Sequence, residues 1–165
     1  MPTNFLEQLV AEWYEYRGYF VRRNIKVGRR AAGGFESELD VVAFHPQRRH
    51  LVQIEPSMDT DSWEIREKRY TAKFAAGRRH IPDLFAGFPE LPGLDQIAIF
   101  ALASTKNHRT VAGGQIMSIS DLMLEIRDNA EWGVRHRRVD KVAVPEQFTI
   151  LRSMQFAAHF WPQAA

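Results

Sequence analysis

One segment of the chain, residues 96–103, restricts the folds that the sequence can adopt. Its centre, from Ile97 to Leu102, is an uninterrupted apolar run of the length of a strand. A strand without polar positions has to be covered on both faces, as strands are in the middle of a parallel or mixed sheet. Because each face needs its own cover, the segment predicts a sheet that lies between layers of helices.

The rest of the pattern supplies the elements for such a sheet. Asn4 can cap a first helix and Gly18 can end it, since glycine permits the left-handed backbone that follows many helices. Pro56 is expected to stop a strand, and Gly77 to end the second helix. The predicted elements are a helix over 4–17, strands over 19–27, 36–44 and 50–55, a helix over 63–76, a strand over 96–103, a helix from Ser118 or Ser120 to 128, and a last helix from Pro145 to 161.

This order predicts an α/β fold, with a mixed central β-sheet flanked by helices and a C-terminal helical extension. The length of 165 residues favours a single domain, with its core over about 4–103 and the extension over about 104–165. The sequence has no cysteine, which excludes disulfides, thiolate zinc sites and a cysteine nucleophile. The sequence shows neither a signal peptide nor an apolar run of membrane-spanning length, so we expect a cytoplasmic protein without membrane attachment.

Two acidic residues stand on the strands of a predicted hairpin. If the hairpin is centred on the middle of its turn, Asp40 lies directly opposite Glu55, and the Cβ atoms of such a pair are about 5 Å apart. Facing carboxylates repel each other unless a cation compensates them, and Mg²⁺ is typically held by one or two carboxylates with water and phosphate. Glu38 and Gln53 share this face by the period of two. The hairpin therefore predicts either a magnesium site or an ordinary exposed acidic face, and a register slip of one residue would separate the carboxylates.

Arginines are clustered along the sequence, although the formal net charge is only +2. The planar guanidinium group binds phosphate oxygens through two parallel hydrogen bonds, so several arginine pairs on one face are typical of nucleic-acid-binding surfaces. Each pair taken alone is equally well explained as solvated surface charge. The residues that we predict to contact nucleic acid are Arg22, Arg23, Arg29, Arg30, Arg66, Arg78 and Arg79.

The first helix and the two hairpin strands carry a recognisable set of motifs. These are FLEQLVAE at residues 5–12, ELDVVA at 38–43 and LVQIE at 51–55. Together with the order of elements they resemble the PD-(D/E)XK superfamily of restriction-endonuclease-like nucleases, and within it the Mrr and archaeal Holliday-junction resolvase branches most. The resemblance covers roughly residues 4–103. It implies a restriction-endonuclease-like αβββαβ core that hydrolyses phosphodiester bonds in nucleic acid, DNA above all, with Mg²⁺ or Mn²⁺ as cofactor, and a homodimer.

The resemblance also assigns roles to residues. In the family an aspartate and a glutamate of the hairpin bind magnesium, and a glutamate of the first helix often assists the metal. Asp40, Glu55 and Glu7 stand at these places. Gln53 is an alternative for the motif glutamate, and Glu12 lies closer than Glu7 to the apolar stripe of its helix.

The lysine that the family places two residues after the motif glutamate is missing. Ser57 occupies that position if Glu55 is the motif glutamate, and Glu55 itself occupies it if Gln53 is. Some members of the superfamily supply the lysine from the following helix, where this chain has Lys68 and Lys73. Lys73 and Arg66 lie at the edge of the apolar stripe of that helix, whereas Lys68 falls on its far side. Lys73 is therefore the predicted catalytic lysine, with an ordinary surface lysine as the competing interpretation.

Three functions follow from these observations. The first is a magnesium-dependent endonuclease in which Asp40 and Glu55 hold the metal and Lys73 or Arg66 orients the attacking water or the phosphate. The second is a catalytically inactive module that keeps the fold and binds nucleic acid or a protein partner, which the displaced lysine would explain. The third is a structural or assembly protein without a nucleic-acid partner.

Overall fold

A mixed sheet of six strands organises the computed structural model, which describes residues 4–128 and 144–160. The predicted α/β class is confirmed. The elements in chain order are α1 (Phe5–Tyr16), β1 (Phe20–Arg29), β2 (Phe35–His45), β3 (His50–Ser57), α2 (Trp63–Leu84), β4 (Leu94–Phe100), β5 (Thr110–Val111), β6 (Gly114–Ser118), α3 (Ile119–Asp128) and α4 (Thr149–Phe160).

The strands lie in the order β1-β2-β3-β4-β6-β5. Strands β1, β2 and β3 are antiparallel neighbours, β4 is parallel to both β3 and β6, and β5 closes a short antiparallel hairpin with β6. The part of the apolar run from Ile97 to Phe100 lies in β4 inside the sheet, as its sequence predicts. The predicted end at residue 103 is wrong, because β4 ends at Phe100 and Leu102 beyond it is exposed. The β5–β6 hairpin is absent from the sequence-based prediction, because its two strands are short and carry little periodicity.

Helices α1 and α2 pack against the sheet through their apolar residues. One core cluster joins Ala76 and Ile81 of α2 to Val42 and Phe44 of β2. Along the first helix, Asn4 caps the N-terminus by accepting a hydrogen bond from the Leu6 amide. Gly18, with a φ of 88°, follows the C-terminal end of α1, so both predicted helix signals of α1 are confirmed.

Two predicted stops are wrong. Strand β3 runs through Pro56 to Ser57, because the register with β2 reaches only Ile54 while the parallel register with β4 continues. Without a β2 partner at that point, the missing N–H of proline costs no ladder hydrogen bond. Helix α2 likewise continues past Gly77 to Leu84, and Pro82 lies inside its last turn.

The chain forms two compact units, of which the first ends at Ile119 and the second begins at Ser120. The sequence predicts one domain with a core that ends near residue 103. The first unit extends further because β6 joins the sheet beside β4, with Gln115 opposite Ile97. In the second unit the last helix begins at Thr149 rather than at Pro145, and its predicted end at residue 161 lies outside the described residues. Within the described ranges, no helix combines the length and the hydropathy that crossing a bilayer requires.

Candidate functional site

The hairpin of β2 and β3 has the register that the sequence predicts. Val41 is paired with Ile54 and Val42 with Gln53. One step further along the two strands, the Asp40 amide nitrogen lies 3.4 Å from Glu55 Oε1. The two carboxylates therefore stand side by side on the face of the sheet that α2 covers.

Lys73 of α2 reaches both carboxylates. Its Nζ lies 2.8 Å from each carboxylate oxygen of Asp40 and 2.5 Å from Glu55 Oε2. Three elements, β2, β3 and α2, thus bring two acids and one amine to a single point. Helical periodicity places Lys73 toward the sheet and Lys68, which is exposed, away from it.

The three side chains differ in exposure. The Glu55 side chain is fully buried, whereas 13% of Asp40 and 24% of Lys73 remain accessible. Burial raises the pKa of Glu55 to about 8, the attraction of Lys73 opposes this rise, and the charge of Asp40 adds to it. Burial alone would lower the pKa of Lys73, but the two carboxylates outweigh it and raise that pKa above its usual value. The amine is therefore held in its charged form.

Gln53 and Tyr70 fix the position of Glu55. Gln53 Nε2 donates to Glu55 Oε1 at 2.8 Å, and the Tyr70 hydroxyl donates to the Glu55 carbonyl at 3.1 Å. Gln53 is itself held, because Gln96 Nε2 donates to its Oε1 at 2.6 Å. The sequence predicts a site role for Gln53, and the structure gives it the role of orienting the glutamate.

Gly77 makes room for this amide. A Cβ atom at residue 77 would lie 1.8 Å from Gln53 Oε1 and 2.6 Å from its Cδ. The glycine is therefore needed inside α2 for close approach to β3, a use of glycine that a helix-ending signal in the sequence does not distinguish.

Asp40 and Glu55 offer carboxylate oxygens, which are ligands that Mg²⁺ binds. Among the described residues there is no group of three or more histidine, cysteine, aspartate or glutamate side chains that could enclose a metal ion. Mg²⁺ does not need such a cage, since one or two carboxylates with water and substrate phosphate are its usual ligands. Asp40 and Glu55 meet this requirement, and the ammonium group of Lys73 already stands as a cation between them.

Neither glutamate of α1 joins this cluster by a described contact. Glu7 Oε2 accepts a hydrogen bond from Asn24 Nδ2 at 3.3 Å, on the strand beyond β2. Glu12 is buried and accepts a hydrogen bond from Gln8 at 2.9 Å. The predicted assistance of Glu7 to a metal stays a prediction.

Arg66 is predicted to contact nucleic acid or the attacking water, and the structure places it elsewhere. The side chain is buried, its Nε donates to Asp59 Oδ1 at 2.9 Å, and its guanidinium group lies over the ring of Trp63. Because it is enclosed and paired, it is not available to nucleic acid or to an attacking water in this arrangement. Asp59 also binds Arg69, so one aspartate holds two arginines between β3 and α2. The sequence analysis does not predict this cluster.

The other predicted arginines are exposed and differ in their partners. Arg78 donates to Gln96 Oε1 at 2.5 Å, and Arg79 forms an ion pair of 2.5 Å with Glu36. The remaining four, which have no carboxylate partner among the described residues, are Arg22, Arg23, Arg29 and Arg30.

Comparisons with known proteins give no family. No protein-family model matches the chain, and no curated protein is similar to it. A crystal structure described as that of a protein of unknown function, AF1548, is similar with a TM-score of 0.46 and 14% sequence identity, over 92% of this chain and 95% of that chain.

Proposed function

We propose that this protein is a metal-dependent nuclease that hydrolyses phosphodiester bonds in nucleic acid, with DNA as the favoured substrate. The observation that supports it is the position of the Lys73 ammonium group, within 2.8 Å of Asp40 and 2.5 Å of Glu55. Two carboxylates and one lysine at a single point can supply two things that cleavage of a phosphodiester uses: ligands for a cation, and a positive donor for the phosphate or the attacking water.

In this proposal Asp40 and Glu55 hold Mg²⁺, with Mn²⁺ as a substitute. The metal would lower the pKa of a bound water and offset the charge that develops on the phosphate. Because burial raises the pKa of Glu55 to about 8, this carboxyl group has to lose a proton before it can bind the cation. We therefore expect both metal affinity and activity to increase as the pH rises from 7 to above 8.

Lys73 acts as a charged hydrogen-bond donor. Since the neighbouring carboxylates keep its pKa above the usual value despite burial, the amine is protonated at neutral pH and does not serve as a general base. Its ammonium group can orient the attacking water or bind a phosphate oxygen. Gln53 is a positioning residue, because it touches Glu55 rather than the reacting atoms.

Cleavage of labelled DNA in Mg²⁺, in Mn²⁺ and in EDTA tests the proposal. Asp40→Asn and Lys73→Met should each lower the rate by about 100-fold or more, the usual effect of removing one electrostatic contributor. Lys68→Met is the matched control, because the same substitution on the exposed side of α2 should leave the rate unchanged. Circular dichroism of every variant checks that the fold is kept.

Two outcomes would contradict the proposal. Cleavage that survives in Asp40→Asn would come from another site or from a contaminating enzyme. If the wild type cleaves no duplex, branched or single-stranded DNA and no RNA with either metal, the inactive binding module becomes the better description.

A further inference from the structure

Strand β1 is an edge of the sheet, and it carries a row of cations. All members of this β1 row are exposed. A strand rises about 3.3 Å per residue, so the row extends over at most roughly 26 Å, since the backbone leaves the extended conformation at Asn24 and Gly28. Its members are Arg22, Arg23, Lys26, Arg29 and Arg30, the last of which directly follows the strand.

Five cations within residues 22–30 make up the β1 row, and other exposed cations, such as Arg48 and Arg109, likewise have no ion pair among the described residues. Within residues 4–128 and 144–160, none of its five members forms an ion pair. Arg49, Arg69 and Arg79 show the contrast, since each is paired with a carboxylate of its own chain. Glu38 lies opposite Lys26 in the sheet, but no ion pair joins these two described residues. A line of cations outside ion pairs attracts a polyanion, and binding of that polyanion releases its counterions.

The β1 row passes beside the candidate site. Arg23 is paired with Val41 and Ile25 with Leu39, so Asp40 lies next to the middle of β1. Two cations of the row precede this point and three follow it. A nucleic-acid strand lying along β1 would therefore continue on both sides of Asp40 and present an internal phosphodiester bond to it.

Two exposed phenylalanines flank the β1 row. Phe20, at the start of β1, is 70% exposed, and Phe35, which is paired with Arg29, is 44% exposed. The amine of Lys26 lies 5.9 Å from the centre of the Phe35 ring. Exposed aromatic rings beside cations are typical of single-strand binding, because unpaired bases stack on the rings while the cations follow the backbone. Within a duplex the base faces are covered by their neighbours, and the rings would have no such use.

We propose that the β1 row, together with Phe20 and Phe35, binds an unpaired strand of nucleic acid and leads an internal phosphodiester bond to the site of Asp40, Glu55 and Lys73. The cleavage part rests on the proposed function. The binding part does not, and it can be measured without metal.

Fluorescence anisotropy in EDTA measures binding separately from cleavage. The probes are a labelled single-stranded DNA and the duplex of the same sequence. We expect the wild type to prefer the single strand, and Phe20→Ala and Phe35→Ala each to weaken single-strand binding by roughly tenfold while leaving duplex binding unchanged. Phe88→Ala is the matched control, since Phe88 is 48% exposed on another part of the first unit.

Salt dependence tests the cations of the β1 row. For a single strand the slope of log K against log salt falls by about 0.7 for each neutralised phosphate contact. The double variant Arg22→Gln/Arg23→Gln loses two such contacts, so its slope should be less steep than that of the wild type by about 1.4. Arg49→Gln, which removes an exposed but paired arginine, should leave it unchanged.

Equal affinity for single strand and duplex, with both phenylalanine variants neutral, would overturn the inference. It would also be overturned if the wild type sedimented as a dimer that Phe20→Ala dissociates, because a second copy of the chain would then cover the strand. Failure of the proposed function looks different: the single-strand preference and its loss in the variants would remain, but Mg²⁺ would add no cleavage.

Discussion

Gly77→Ala is a sharp test of how the site is built. In an ordinary helix this substitution stabilises by about 0.5–1 kcal/mol, because glycine has more backbone freedom to lose on folding. Here the added Cβ would lie 1.8 Å from Gln53 Oε1, whereas ordinary contact begins near 3.4 Å. The buried amide would have to move by about 1.6 Å.

A movement of that size breaks the hydrogen bonds that hold Gln53. The two shortest, 2.8 Å to Glu55 and 2.6 Å from Gln96, contribute about 1 kcal/mol each. Forcing an extra carbon into a packed interior costs another 1–3 kcal/mol or so. After subtraction of the helical gain, we expect Gly77→Ala to lower the free energy of unfolding by about 2–4.5 kcal/mol.

Urea unfolding followed by tryptophan fluorescence measures this change, and a double-mutant cycle assigns its cause. In a Gln53→Ala background the steric conflict is gone, so Gly77→Ala should become neutral or stabilising. Gly87→Ala is the control, because a Cβ at residue 87 meets no atom within 4 Å. A stabilising effect of Gly77→Ala in the wild type, or the same loss in both backgrounds, would show that no steric conflict with Gln53 exists.

Three further predictions concern the charged groups. Calorimetry should show micromolar-to-millimolar binding of Mg²⁺ or Mn²⁺ that is lost in Asp40→Ala; equal binding by both proteins would place the metal elsewhere. Burial would raise the pKa of Asp59, but hydrogen bonds from Ser57 and Arg69 outweigh it and lower the pKa to about 2 from an ordinary 3.8. This lowered pKa stabilises the fold above pH 3.8, and acid titration should remove about 2 kcal/mol as the pH falls through 2, a loss that Asp59→Asn should not show. The raised pKa of Glu55 has the opposite effect on the pH dependence of stability. The free energy of unfolding should decrease as the pH rises from 4.5 to about 8, and urea titrations at several pH values should show that Glu55→Gln flattens this dependence.

The part of the site that local rules govern could be predicted from the sequence. The turn and the period of two fix which β2 residue faces which β3 residue, and the observed register pairs Val42 with Gln53 as the sequence predicts. The period of a helix likewise distinguishes Lys73 from Lys68, because the sheet lies on one side of α2. These arguments need only neighbouring residues and the assumption that the apolar side is buried.

Other features depend on residues that are far apart in the sequence. Gly77 is read as a helix end until Gln53, on a strand that precedes α2, is seen to occupy the place of its missing Cβ. Arg66 is read as a surface cation until Asp59 and the ring of Trp63 enclose it. Glycine is compatible with both roles of residue 77, and arginine with both roles of residue 66. Only the neighbouring residues in the folded protein show which role applies.

The α/β class, the hairpin register and the orientation of Lys73 toward the sheet can be predicted from the sequence, because each follows from the spacing of side chains along one or two adjacent elements. The contacts of Lys73 with both Asp40 and Glu55, the full burial of Glu55 and the ion pairing of the arginines become visible only in the folded protein. Burial and ion pairing are properties of the three-dimensional neighbourhood, so their effects on the pKa of Glu55 and Lys73 are set only when β2, β3 and α2 come together.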